Sequence, residues 1–252
     1  MTPRRKREWF DDDAFWRDIH DFIFTPARLK AAKGEVNSII RLTKIKKGAA
    51  LDLCCGPGRC SVALAKRRFT VTGVDRTKFL LDEARARARA ARVRIEFVHK
   101  DMRDFVRPDS FDLVLSMYTS FGYFEDKDED MAVLHNIHAS MRKGGAFVID
   151  TLGKERLAKI FLPSSVNEIS DGSLLVERRQ AVDDWTRMRN EWILIRKGRA
   201  KSYEFTHRLY SGQELRELLE RAGFKRVKLY GSFDGAPYDR NAEHLIAVGR
   251  KG

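Results

Sequence analysis

The sequence has no long apolar run. None of its stretches approaches the roughly 20 consecutive apolar residues needed to cross a bilayer, so a membrane-spanning helix is excluded. Nor does its basic start, MTPRRKREWFDDDAFW, lead into the apolar segment of a secretory signal, and a cytoplasmic location is the expectation. Cysteine is scarce: three in 252 residues, all inside LDLCCGPGRC at 51–60. Cys54, Cys55 and Cys60 have no further Cys or His beside them to complete a metal set, and the redox spacing C-x-x-C is missing. They read as small, polarizable packing residues, with no metal site expected. Internal repeats and low-complexity linkers are also absent.

What is present is the composition of a globular protein, with 43% hydrophobic and 10% aromatic residues. Lys and Arg outnumber Asp and Glu by 49 to 36, a formal charge of +13 that raises the question of nucleic acid. The excess is scattered over 4–7, 44–47, 85–94 and 187–201, which fits a solvated surface better than a binding stripe. RNA is kept as a minority partner.

Along the chain, 1–47 reads as a helical segment with crowded aromatics, broken at Pro26. Strand-length apolar runs then alternate with helical patterns. AALDLCC, FTVTGVD, VRIEFVHKD, SFDLVLSM and AFVIDTL give five strands. RCSVALAKR, TKFLLDEARARARA (capped by Thr77) and DEDMAVLHNIHASMRKGG (stopped by its paired glycines) give the helices between them. This alternation predicts a parallel sheet with helices on both faces. From Leu174 to Tyr210, β-formers separated by Asp183-Asp184 and Lys197-Gly198 predict an antiparallel meander. A helix with Ser211 as cap and Gly223 as stop follows, then a closing hairpin.

In an open parallel sheet ligands bind beyond the carboxyl ends of the strands. CCGPG occupies that position after the first strand, where glycines admit a close ligand and the next helix offers free N–H groups. Asp75 ends the second strand, placed to take both ribose hydroxyls of an adenosine-containing cofactor. The dinucleotide fingerprint fails because Ser61 stands where glycine or alanine is required, and no P-loop Lys follows the turn. Asp52 lies inside the strand leading to the turn; an acid there suits an ammonium group and repels a pyrophosphate. S-adenosylmethionine carries such an ammonium. Asp101 after the third strand can accept from the adenine amino group, and Met102 can pack on the ring.

LDLCCGPG, VTGVD, KDM, FDLVLSM and LHNIHASMRKGGAFVID resemble the successive motifs of the class I S-adenosylmethionine-dependent methyltransferases, from about Ala49 to Thr151. ELRELLERAGFKRVKLYG and the final hairpin are similar to the last elements of that family. The resemblance implies a Rossmann-like, doubly wound α/β sheet of seven strands, the last antiparallel, elaborated by the meander and the helical N-terminal segment. Carried over by position, it implies Asp52, Gly56 and Gly58 at the methionyl end, Asp75 at the ribose, Asp101 and Met102 at the adenine, and Ser116 and Met117 beside the sulfonium, with Cys54 and Arg76 as further cofactor-binding positions. Cys54 departs from the pattern, standing where the family usually has its first glycine.

The implied organisation is a helical N-terminal segment or lid at 1–47, a cofactor-binding domain at 48–152 and 211–252, and an insertion at 153–210 on the acceptor side. The Asp/Asn-Pro-Pro-aromatic motif of amino-methylating nucleic-acid enzymes is absent from SMYTSFGYF. No cysteine outside the turn offers C5-pyrimidine chemistry. A small-molecule N or O acceptor is therefore expected, ahead of RNA and of a noncatalytic cofactor-binding module. Tyr118, Phe121, Tyr123 and Phe124 are candidate pocket walls, and Arg178, Glu191, Tyr203 and His207 candidate acceptor contacts. The aromatic N-terminal segment is a candidate lid, with Trp16 or Arg28 touching the cofactor; packing on the sheet is the equal alternative. His207 is the candidate base because an unperturbed imidazole titrates near neutrality, and Tyr118 and Tyr123 complete the candidate catalytic set.

Overall fold

A computed structural model describes residues 8–252; the basic cluster at 4–7 lies outside the described residues. The chain starts with a short 3-10 turn at Trp9–Asp11 and helices α1 (Asp13–Ile23) and α2 (Pro26–Thr43). The alternating core is β1 (Gly48–Leu53), α3 (Arg59–Lys66), β2 (Phe69–Asp75), α4 (Lys78–Ala90), β3 (Glu96–His99), β4 (Phe111–Ser116), α5 (Lys127–Ser140) and β5 (Met141–Thr151). Next come α6 (Lys154–Ile160), β6 (Ser164–Glu168), β7 (Leu174–Val182), β8 (Arg187–Arg196) and β9 (Arg199–Arg208). The chain closes with α7 (Gly212–Arg221), β10 (Lys225–Tyr230) and β11 (Leu245–Arg250).

Seven strands form one sheet in the order β10-β11-β5-β4-β1-β2-β3, with β11 antiparallel to both its neighbours, as the motifs imply. The order reverses between β1 and β4, so the crevice beyond their carboxyl ends is the place for a ligand. Period-two alternation divides the apolar side chains between two cores. Leu51, Leu53 and Val114 meet α5 and α7 on one face, while Ala50, Leu113 and Leu115 meet Val36 and Ile39 of α2 and Leu64 of α3 on the other.

The predicted meander forms β7, β8 and β9, and gains β6 as a fourth antiparallel strand that its polar sequence, SSVNE, did not advertise. Asp183, Asp184 and Lys197 take up left-handed φ angles in its turns, the conformation tight hairpins need. Ser211 makes a capping box with Glu214, and Gly223, at φ +101°, follows the C-cap of α7.

Two local expectations are corrected. The fifth helix ends at Ser140, not at the paired glycines, because β5 already begins at Met141. Gly145 sits at an irregularity in the β4–β5 pairing, where a Cβ would come within 2.9–3.2 Å of three main-chain carbonyl oxygens. The glycine therefore permits close strand approach and does not stop a helix. Thr77 stands at the N-cap of α4 without a side-chain cap bond; the main-chain N–H there is taken by Asp75. Among the described residues no helix is long and apolar enough to cross a membrane.

Candidate active site

A cavity of about 1000 Å³ opens at the carboxyl ends of β1, β2 and β4 and runs to the inner face of the second sheet. At the sheet end the chain leaves β1 through Cys54, Gly56 and Gly58, at φ +59°, +52° and +77°. The left-handed geometry is cheap for glycine; for an L-residue such as Cys54 it costs on the order of 1–2 kcal/mol. The Cys54 thiol faces the Met102 sulfur at 3.7 Å, while Cys55 lies beneath Gly73, where a Cβ would meet its sulfur at 3.1 Å. Burial, then the carboxylates of Asp75 and its neighbours, push the Cys54 and Cys55 thiols up; burial does the same for Cys60. All three stay protonated at neutral pH, unsuited to thiolate chemistry.

Asp52 is buried with its Oδ2 accepting from the Ser61 hydroxyl at 2.5 Å. Burial pushes its carboxyl up to about 6 despite that bond and the Arg59 charge. Asp75 has main-chain partners that the sequence did not reveal. Its Oδ2 accepts the Gly56 N–H and its Oδ1 the Thr77 N–H, each at 2.8 Å, so one carboxylate fastens the glycine turn to the next helix while facing the cavity.

Around Asp101 the geometry is crowded. Its Oδ1 takes the main-chain N–H and Nε of Arg103 at 2.8 and 3.1 Å, and its Oδ2 lies 2.8 Å from both Arg103 Nη2 and Arg76 Nη1. Burial alone would raise the Asp101 carboxyl, but these arginines outweigh it and hold it below its ordinary value. Arg76 and Arg103 also reach Glu8, Arg76 reaches Asp11, and Arg103 reaches Glu129. The N-terminal turn is thereby fastened across the end of β3, with Phe10 under the Arg76 guanidinium at 4.5 Å.

After β4, Met117 is buried, and Tyr118 and Thr119 both adopt left-handed φ angles, +60° and +54°. Asp150 at the end of β5 holds this bend, its carboxylate accepting from Tyr118 N and its carbonyl from Thr119 N. Two successive non-glycine residues in that region mark a bend fixed by its surroundings. Asp150 Oδ1 also lies 2.8 Å from His244 Nδ1, which raises that imidazole above its ordinary value.

At the far end, the inner face of the second sheet contributes Glu177, Arg179, Asn190, Trp192, Phe205 and His207, with Trp9 and Tyr123 opposite. Trp9 stacks on Phe205 at 4.7 Å, and Tyr123 lies 5.4 Å from the His207 ring. Glu177 is buried, accepting from Asn167 at 2.8 Å and pairing with Arg179 at 2.6 Å. Burial pushes His207 down to about 4, so it is neutral at pH 7 and a weaker base than its residue type suggests. The Asn190 amide nitrogen lies 3.2 Å from both Met188 O and His207 Nδ1. Donation to both places the imidazole proton on Nε2. Burial raises the hydroxyls of Tyr118 and Tyr123, which remain protonated.

The cavity thus brings together Asp52, Cys54, Gly56, Asp75, Arg76, Asp101, Met102, Met117, Tyr118, Tyr123 and His207. Gly58 and Ser116 are outside its wall. A Cβ on Gly58 would meet that of Ala84 at 2.9 Å, so this glycine lets α4 approach, and the Ser116 hydroxyl is buried without a partner. Arg178 and Glu191 are corrected as acceptor contacts. They pair with each other at 3.1 Å on the opposite face of the sheet, because the inward positions of β7 are Glu177 and Arg179. Tyr203 is turned inward but donates its hydroxyl to Asp18 of α1 at 2.5 Å. The missed residues have a recoverable signal: E-x-R, N-x-W and F-x-H repeat the same two-residue spacing on three adjacent strands.

Residues 50–145, which span the glycine turn, Asp75 and Asp101, match the family model described as "Methyltransferase domain". Residues 50–145 carry a methyltransferase domain. The methyltransferase is 25% identical to YqeM of Bacillus subtilis (strain 168), a protein with a methyltransferase name, over 82% of this chain and 85% of that one. Its fold matches an S-adenosylmethionine-dependent methyltransferase from Clostridium acetobutylicum ATCC 824 with a TM-score of 0.77 at 16% identity, covering 95% and 98% of the two chains. The sugar N-methyltransferase KedS8 from Streptoalloteichus sp ATCC 53650 superposes with a TM-score of 0.70 at 19% identity, over 100% of this methyltransferase and 95% of KedS8.

The groups at the rim suit a methyl donor that carries an ammonium and a ribose. Gly56 turns its main chain toward the cavity at a left-handed φ, an acid lies beneath it for an ammonium, and Asp75 stands at the end of the neighbouring strand.

Proposed function

We propose that this methyltransferase moves a methyl group from S-adenosylmethionine to a nitrogen or oxygen of a small molecule, with donor and acceptor sharing the one cavity. The observation that carries this reading is the continuity of that cavity from Asp52, Gly56 and Asp75 to the inner face of the second sheet. When bound, the cofactor supplies an electrophilic methyl on its sulfonium. The protein's part is alignment and exclusion of water, which is worth about 7–11 kcal/mol in favourable cases.

In this reading Asp52 neutralises the ammonium of the donor and Asp75 takes the ribose hydroxyls, with Arg76 beside it. Asp101 receives the adenine amino group once Arg76 yields its contact, and Met102 and Met117 flank the purine and the sulfonium. Gly58 and Ser116 shape the turn and the strand end from behind. Residues 1–47 act as the lid, 48–152 and 211–252 as the cofactor domain, and 153–210 as the acceptor wall. Tyr118 and Tyr123 orient the acceptor through ring faces and hydroxyls. His207 positions it by donation from Nε2, and the more basic His244 is the imidazole suited to receive a proton. The sugar N-methyltransferase fold match supports the small-molecule class, and a cytoplasmic enzyme is in keeping with the described residues, where no helix is long and apolar enough to cross a membrane.

The test is a screen for S-adenosylhomocysteine release over amines, phenols, carboxylates, thiols and bulk RNA. Turnover confined to RNA, or none over the whole panel despite cofactor binding, contradicts the reading. A pH dependence follows from Asp52. Its carboxyl is raised to about 6, so its negative charge is present above that pH and lost below it. Calorimetry should show cofactor affinity falling about tenfold between pH 7.5 and pH 5, with proton release on binding near pH 6. An Asp52→Asn variant should bind weakly and without this dependence.

A further inference from the structure

Resting on the transfer reading above, we propose that Asp150 is a positioning residue that makes His244 the proton acceptor of the site. The molecule methylated is then one whose nitrogen or oxygen still carries a proton at neutral pH, an ammonium or a phenol. Of the six histidines, His207 and His244 alone line the cavity. Asp150 of β5 pairs with Ile246 of β11, so His244, just ahead of β11, brings its ring back onto the buried Asp150 carboxylate. Oδ1 lies 2.8 Å from Nδ1, and the Phe233 ring meets the imidazole edge-on at 4.8 Å. Among the described residues Nε2 has no hydrogen-bond partner. The other Asp150 oxygen accepts the Tyr118 N–H at 3.3 Å, and the Asp150 carbonyl accepts the Thr119 N–H at 2.9 Å. One residue thus holds both the imidazole and the bend that follows Met117.

A carboxylate oxygen only accepts, so Nδ1 keeps the proton and the neutral ring offers Nε2 as a base. Asn190 imposes the opposite tautomer on His207, whose Nε2 donates. The cavity therefore presents one imidazole that gives a proton in a hydrogen bond and one that takes it. The Asp150 hydrogen bond outweighs burial, and with the charges of Asp150, Glu35 of α2 and the adjacent Glu243 it holds His244 above its ordinary value. The nearest cations of the wall are engaged, Arg59 by Glu35 and Arg156 by the Ala242 carbonyl. The step moves one proton. The acceptor's N–H or O–H bond breaks, its electron pair stays on that atom for attack on the methyl group, and the proton bonds to His244 Nε2. The imidazolium so formed is offset by Asp150 and later loses the proton to water.

Two measurements on the full chain test this. Nuclear magnetic resonance of the protein labelled with histidine-15N reads the imidazole without any ligand, its signals assigned by their loss in His244→Gln. His244 should show the Nδ1–H tautomer and titrate above a free histidine, and in Asp150→Asn its midpoint should fall. Kinetics then use the amine and the phenol that turn over fastest in the acceptor panel, at saturating S-adenosylmethionine so that Asp52 does not enter. In the wild type kcat should rise with pH through the His244 midpoint, and Asp150→Asn should move that limb to lower pH. His244→Gln should remove the limb and lower kcat by about 10²- to 10⁴-fold with KM little changed. An Nε2–H tautomer in the wild type, a limb unmoved in Asp150→Asn or a loss under about tenfold in His244→Gln would reduce the pair to a brace between β5 and β11 and overturns the proposal. Turnover confined to carboxylates, which have no proton to give up, overturns the acceptor class while the transfer reading stands. No turnover over the whole panel fails the transfer reading itself, and the base role with it. Thermal melts of both variants guard against a folding effect.

Discussion

Replacing Asp75 by alanine is expected to weaken S-adenosylhomocysteine binding by at least about 100-fold. Two hydrogen bonds from ribose hydroxyls to an ionised acceptor contribute roughly 1.5–3 kcal/mol each, and the lower end already sums to about 3 kcal/mol. The effect is compounded because the same oxygens hold the Gly56 and Thr77 N–H groups. Losing them loosens the turn that lines the cofactor end of the cavity, so urea unfolding should also report a loss of about 1–3 kcal/mol. Asp75→Asn separates the two duties: its amide can still serve one main-chain N–H but presents a donor where a hydroxyl needs an acceptor. Affinity should therefore fall nearly as far as in the alanine variant while stability recovers in part. Calorimetry below the melting temperature of each variant reads the first effect and urea titration the second. Unchanged affinity in Asp75→Ala removes the ribose assignment.

The second large effect is on stability, at a residue no motif marks. Asp130 of α5 is fully buried, its Oδ2 accepting from the Tyr210 hydroxyl at 2.7 Å and from Arg208 Nε at 3.2 Å. Burial pushes its carboxyl up, and the Tyr210 and Arg208 contacts work against that rise. This contact ties the end of β9, and with it the acceptor wall, to a helix of the main domain. Removing one partner of a buried pair costs about 3–5 kcal/mol when the other is left without compensation. Arg208 keeps some access to water, so Asp130→Ala should cost about 3 kcal/mol in urea unfolding. Tyr210→Phe removes a single donor and should cost about 1 kcal/mol. A loss below 1 kcal/mol for Asp130→Ala would mean that the second sheet is held mainly by its aromatic contacts.

How much of this was legible beforehand follows the physics of each element. The five parallel strands and the glycine turn were readable because local signals agree there: apolar runs of strand length, a turn at the strand end and helical spacing after it. Asp75 was visible as a strand-end acid, yet its hold on Gly56 was not, since that bond closes over 19 positions of sequence. The meander is legible as β, but on β7 and β8 the expected contacts Arg178 and Glu191 face outward while Glu177 and Arg179 face inward; on β9 Tyr203 and His207 do face inward. Period-two alternation without apolar contrast gives no sign of which face is buried.

His207 was readable as an imidazole and not as a weak base, because the burial that lowers it comes from Tyr123 and Asn190 on other segments. The knot of Glu8, Asp11, Arg76, Asp101, Arg103 and Glu129 joins four separate parts of the chain and left no local trace. The paired glycines at 144–145 looked like a helix stop because that is their commonest local meaning. The close carbonyls of Phe111, Asp112 and Arg142 explain the place of Gly145 in a strand, and the left-handed φ of +79° that of Gly144.

The account rests on one rim of the sheet holding a charged methyl donor, and a crystal structure of the protein with S-adenosylhomocysteine tests that most directly. The predicted result is one nucleoside per chain, its ribose on Asp75, its adenine against Met102 and its ammonium toward Asp52. A ligand seated elsewhere, a rim that stays empty, or a rim that takes a dinucleotide in its place would contradict it.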